Sequence, residues 1–167
     1  MPQLPFPFDN QDEWPQTYVL ISLMPQYAHA LVSGEKKYEY RRGKFIDRPV
    51  TAFVYATRPK SKADNGLPSA QILAIAKFGT PFIGLEETIR AKEEEQTGSE
   101  EMMREWLRGF TTASAHPIDR FEVLKETISL EEMTSQFPSF RPPQRYLMLN
   151  RNLPLLDFLK KRSGIDL

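Results

Sequence analysis

Four runs rich in β-branched, aromatic and other apolar residues limit what this chain can fold into: "TYVLISL" (17–23), "TAFVYAT" (51–57), "SAQILAIAKFG" (69–79) and "RYLMLN" (145–150). Each reads as a strand. The helical patterns between them are irregularly placed. "MPQYAHALVSG" puts Pro25 at a first helical position, sets Tyr27, Ala28, Leu31 and Val32 at helical spacing, and stops at Gly34. Residues 84–109 are helical in pattern with a break at Thr97–Gly98, where Ser99 can cap a second segment whose Met103, Trp106 and Leu107 share a core-facing side. Strand patterns return at 111–115 and 119–126. Ser129 and Glu132 then form a capping-box pair before a short turn of helix, and a basic-ended helix is expected over 153–162. Short strands with helices inserted between them, without regular βα alternation, predict an α+β fold with a mixed sheet able to close into a small barrel.

Composition removes several function classes. The chain has 167 residues, long enough to bury a real core. It has no cysteine, which rules out disulfides, thiolate nucleophiles and cysteine-ligated zinc. His29 and His116 have no second histidine at ligand spacing, so neither a metal nor a cofactor is expected. No Gly-rich phosphate loop occurs. The prolines and aromatics of residues 1–17, Trp14 among them, predict an extended arm that packs on the body or on a protein partner. That arm lacks the pattern of a secretory signal, and no run approaches the roughly 20 apolar residues of a membrane span. A cytoplasmic protein is expected. Lysine plus arginine equal aspartate plus glutamate at 22 each, so any attraction for polyanions must be local.

Such a locality exists in "SGEKKYEYRR" (33–42) and its surroundings. Lys36, Lys37, Arg41, Arg42, Lys44 and Arg48 crowd together, and Arg58, Lys60 and Lys62 follow the next strand. These groups are either a phosphate-attracting rim or a solvated strand edge guarded by charge. Alternation puts Glu39 and Arg41 on one face and Lys36 on the other, so all three meet only if the strand begins after Lys36 or bulges there. Tyr38, Tyr40, Tyr55 and Phe78 can stack on a base or belong to the core. In "FRPPQRY" (140–146), two prolines fix an extended lead-in that presents Arg141, Gln144 and Arg145. Ser22 and Thr57 have no evident histidine partner, and His29 and His116 read as ordinary polar residues.

Gly34, Lys36, Glu39 and Arg41 fit the pattern Gly-x-Lys-x-x-Glu-x-Arg, preceded by "ISLMPQYAHALVSG" and followed by "VYATRP", "ILAIAKFG" and "FRPPQRYLML". In this order the blocks resemble the ASCH domains of the PUA-like superfamily. The resemblance covers about 18–150, leaving the arm (1–17) and a C-terminal helical tail (151–167). It implies a small mixed β-barrel with peripheral helices and a cleft beside the motif, in which RNA or a nucleotide-like ligand binds. Lys36 and Arg41 would neutralise phosphate and Glu39 would accept from a base amino group, with Arg42, Arg58, Arg141, Gln144 and Arg145 widening the contact. The family also includes a ribonuclease and a branch that hydrolyses an acetylated cytidine nucleoside, using the motif lysine and a threonine where this chain has Glu39. The alternative reading is therefore a metal-independent ribonuclease or modified-nucleoside hydrolase using Lys36 and Glu39.

Overall fold

A computed structural model describes residues 13–95 and 100–167. The Thr97–Gly98 break, the Ser99 cap and the arm residues before Glu13 lie outside the described residues. The strands are β1 (Tyr18–Leu23), β2 (Tyr38–Arg42), β3 (Val50–Ala56), β4 (Gln71–Phe78), β5 (Phe82–Ile83), β6 (Ala113–Ser129) and β7 (Tyr146–Met148). The helices are α1 (Pro25–Val32), α2 (Leu85–Glu94), α3 (Glu100–Trp106), α4 (Leu130–Gln136) and α5 (Leu153–Ser163). The sheet runs β2-β6-β4-β3-β1-β7, with β5 added to β6. β1 and β3 are parallel and the other ladders antiparallel. The sheet is mixed and curls into a half barrel, the α+β fold expected from the runs.

The apolar runs show no polar alternation because both sheet faces are covered. Along β1, Tyr18 and Leu20 face a core completed by Phe53, Ile128, Met133 and the α5 residues Leu155, Leu156 and Leu159. Val19, Ile21 and Leu23 face the opposite core with Val54, Ala28 and Leu31. This second face carries Ala52, Ala56, Ala74 and Ala76, whose small side chains let α1 settle close to the sheet. Trp14 packs on the body, with the Arg120 guanidinium 4.5 Å from its ring centre.

The segments expected at 111–115 and 119–126 are one long strand. β6 pairs with β2 and β5 through Ala113–Pro117 and with β4 farther on, with register shifts between Lys77/Phe78 and Ile72/Ala74 that let it bend. His116, which falls between the two expected segments and reads there as an ordinary polar residue, is thereby a buried strand residue. Trp106, expected in the core, is 36% exposed, while Met103 and Leu107 on the same segment are buried.

The buried Asp64 carboxylate fixes the start of α1, which has no side-chain cap of its own. It accepts from the backbone N–H of Gln26 at 3.0 Å and of Lys60 at 3.2 Å, and from the Ser61 hydroxyl at 3.3 Å. Burial works to raise its pKa, but these donors prevail and hold it below the usual carboxylate value. Its stabilising effect is complete above the ordinary carboxylate range and is lost as pH falls through the lowered folded value. Asp64→Ala should lower Tm by several degrees at pH 7 and by progressively less in acid, measured by differential scanning calorimetry.

Candidate functional site

The motif glycine has a backbone reason. α1 ends at Val32, and Gly34 takes φ +81°, a left-handed turn that other residues adopt only under strain. The Lys36 N–H then bonds the Ala30 carbonyl at 3.0 Å, and the Lys37 N–H bonds Glu95 Oε1 at 2.7 Å. The strand begins only at Tyr38, so the alternation that would separate Lys36 from Glu39 does not apply. Lys36 Nζ stands 3.3 Å from Glu39 Oε2, and Arg41 Nε stands 3.1 Å from Oε1. The three side chains are almost removed from water, with relative exposures of 11% for Lys36, 6% for Glu39 and 13% for Arg41.

Strand register adds two groups. Glu39 opposes His116 and Arg41 opposes Ser114, so all four share one face of the β2–β6 ladder. Ser114 Oγ lies 2.7 Å from His116 Nε2 in a buried contact. Burial pushes the His116 pKa down to about 4, with the Glu39 charge working against this and the Arg41 charge with it. The imidazole is therefore neutral at pH 7. Glu39 Oε2, Arg41 Nε, Arg41 Nη2 and His116 Nδ1 are buried without a hydrogen-bond partner in the protein. The two ion pairs thus hold charge near charge without aligned hydrogen bonds. Buried polar groups are seldom left this way, and a ligand edge offering both donors and acceptors would satisfy them.

Aromatic rings fix these side chains. Phe45 meets His116 edge-on at 4.8 Å and Tyr146 at 4.7 Å, and the Arg41 guanidinium lies 5.1 Å from its centre. Arg41 Nη1 also donates to the Arg145 carbonyl at 3.4 Å, linking the strand at one end of the sheet to the lead-in of β7 at the other. Lys36 Nζ lies 5.5 Å from the Tyr27 ring centre and 5.4 Å from that of Tyr40. Burial, followed by a 2.7 Å hydrogen bond to Glu95, raises the Tyr40 pKa and keeps its hydroxyl a donor. Glu95, although buried, is lowered by its bonds from Tyr40 and Lys37 and by the Lys92 and Lys36 charges.

The other expected residues do not all converge. Arg145 comes near, since a Cβ on Gly43 would meet its Nη1 at 3.8 Å. Arg42 turns to the opposite face, with its guanidinium 5.0 Å from the Trp106 ring centre and 4.7 Å from that of Phe110. Arg141 bonds the Phe140 and Pro138 carbonyls of its own segment at 2.7 and 3.3 Å. Gln144 and Arg58 are exposed, Arg58 within electrostatic reach of the Tyr55 hydroxyl. Tyr55 and Phe78 are core residues and offer no stacking surface. The Pro-Pro segment is held by Ser22, whose hydroxyl donates to the Pro143 carbonyl at 2.6 Å. Ser114 and His116 were not expected at the site, because nothing in their local sequence indicates which strand they face. Among the described residues, no group of three or more His, Asp or Glu side chains could hold a metal.

No family model matches the sequence, and no curated protein sequence matches it. The fold does have solved counterparts. The crystal structure of ASCH from Zymomonas mobilis superposes with a TM-score of 0.67 at 24% identity, covering 87% of this chain and 96% of that one. Its serine-to-alanine variant gives 0.67 at 23% identity, covering 85% and 96%. A tyrosine-to-phenylalanine variant gives 0.66 at 23%, covering 85% and 98%. The chain has the fold of an ASCH domain.

Two measurements test the site's electrostatics. In the unfolded chain His116 returns to its ordinary value of 6.5, so acid protonates the unfolded state first. Its contribution is complete above about pH 6.5 and falls away toward pH 4, a loss of about 3 kcal/mol. Urea unfolding at pH 7 and pH 4 should show a smaller acid loss in His116→Gln than in the parent protein. Removing the shared carboxylate leaves two largely desolvated cations without a counter-charge. Glu39→Ala should therefore cost on the order of 3 kcal/mol in the same assay, and recovery of stability in Glu39→Ala/Arg41→Met would identify charge burial as the cause.

Proposed function

We propose that this chain is a cytoplasmic ASCH module that binds RNA or a nucleotide-like ligand beside the 34–42 motif. One observation carries the reading: a buried carboxylate, a forked guanidinium and an imidazole nitrogen stand on one face with polar atoms that lack hydrogen-bond partners in the protein. A nucleobase edge presents amino donors next to carbonyl or ring-nitrogen acceptors, the complement of Glu39 and Arg41. With His116 neutral, Lys36, Arg41 and Glu39 sum to one positive charge, which suits a phosphate attached to that base. Arg145 extends the cationic rim.

A hydrolytic reading draws on a separate contact. The Ser114 hydroxyl lies against a neutral imidazole, beside the Lys36–Glu39 pair, in which a lysine that has passed its proton to Glu39 would be the base and the protonated Glu39 the acid. Release of product from RNA or acetylated cytidine, abolished in Lys36→Ala, is the outcome that separates catalysis from binding.

The binding reading is tested by fluorescence anisotropy with a labelled, mixed-sequence single-stranded RNA. Arg41→Lys retains the charge opposite Glu39 but loses the forked donors. It should weaken binding about tenfold, with the chain still folded and Tm lowered by a few degrees for the lost Arg145 carbonyl bond. Equal affinity in the variant and the parent protein would contradict the site.

A further inference from the structure

Strand β5 is two residues long, and both are open to solvent, Phe82 at 50% exposure and Ile83 at 57%. Register separates them. Phe82 opposes Ala115, which opposes Tyr40, and Tyr40 packs against the Ile89, Met103 and Leu107 side chains of the α2–α3 region. Ile83 opposes Ser114, which opposes Arg41. Residues directly opposed in antiparallel ladders point to the same side, so Arg41, Ser114 and Ile83 form one row, next to the row of Glu39 and His116.

The row crosses two inter-strand spacings, about 10 Å. Its chemistry changes along that length. At one end Arg41 Nη2 is buried and unpartnered. In the middle the Ser114 hydroxyl is engaged with His116. At the other end an isoleucine exposes more than half its surface on the same side as the buried charges. A free phosphate would use only the first end, whereas a nucleoside has both a hydrogen-bonding edge and a flat, weakly polar body at this separation.

We propose that Ile83 is the platform of the ligand site: the base edge reaches Glu39 and Arg41, and the ring body crosses Ser114 to lie on the Ile83 side chain. This rests on the nucleotide-binding reading above and adds a residue that sets how the ligand lies. Ile83 gives affinity for a ring without selecting its hydrogen-bonding edge, as stacking surfaces do. Selection stays with Glu39 and Arg41.

The test uses the full chain and the same labelled single-stranded RNA. Ile83→Ser should weaken binding about fivefold to tenfold, and Ile83→Phe should bind at least as tightly as the parent. Val123→Ser, altering a β6 residue that is 53% exposed, serves as the control and should bind like the parent. All three should melt close to the parent. Parent-like binding by Ile83→Ser, with Arg41→Lys still impaired, would overturn the platform and leave the nucleotide reading standing. Failure of the parent protein to bind this RNA or any of the four ribonucleoside 5′-monophosphates would overturn both.

Discussion

A carboxylate nearly removed from water holds two cations at the rim of a half barrel. Charges in such a setting lose hydration worth several kcal/mol each, and Coulomb attraction offsets that loss only when the partners are fixed close together. Around Glu39 the fixing is done by the left-handed turn at Gly34, the late start of β2, the Phe45 ring against the Arg41 guanidinium and the Arg145 carbonyl on Arg41 Nη1. The cluster is electrostatically paired yet short of aligned hydrogen bonds. That combination is costly for folding alone and suits a place where another molecule completes the bonding.

The barrel supplies the rigidity this requires. Alanines on the sheet face that packs against α1 admit the helix, Asp64 clamps its first turn, and the helix end feeds directly into the motif. Ser22 on β1 holds the Pro-Pro segment, so the carbonyl that accepts from Arg41 is itself fixed from the sheet. β6 bends from the β2–β5 corner into the main sheet and carries His116 and Ser114 beneath the charges. Position, burial and chemistry are thus set by one continuous set of contacts.

Features determined by neighbours in sequence were legible before the fold was known. Pro25 opens α1, Gly34 ends it, Ser129 accepts from the Glu132 N–H at 3.0 Å, and the apolar runs become the central strands. The Lys36–Glu39–Arg41 cluster was half legible, because its assembly depended on where β2 begins. His116, Ser114 and Ile83 were not legible. They join the site through ladders between segments far apart in the chain, and the β6 bend that sets their register leaves no periodic mark on the sequence. Arg42 and Arg141 share the composition of the basic cluster but are drawn to Trp106, Phe110 and nearby carbonyls. Charge composition shows where cations are abundant, and only packing shows which of them converge on the motif face.

The polar atoms on the Glu39–His116 face that lack a hydrogen-bond partner in the protein are the proposed contact points of a ligand. Side-chain ¹H–¹⁵N NMR of the full chain observes them directly, through the Arg41 Nε–H and the His116 ring nitrogens. On titration with a short single-stranded RNA, these resonances should move together and saturate with the binding curve. If the RNA binds while both stay unmoved, the buried cluster is a structural brace and the ligand sits elsewhere.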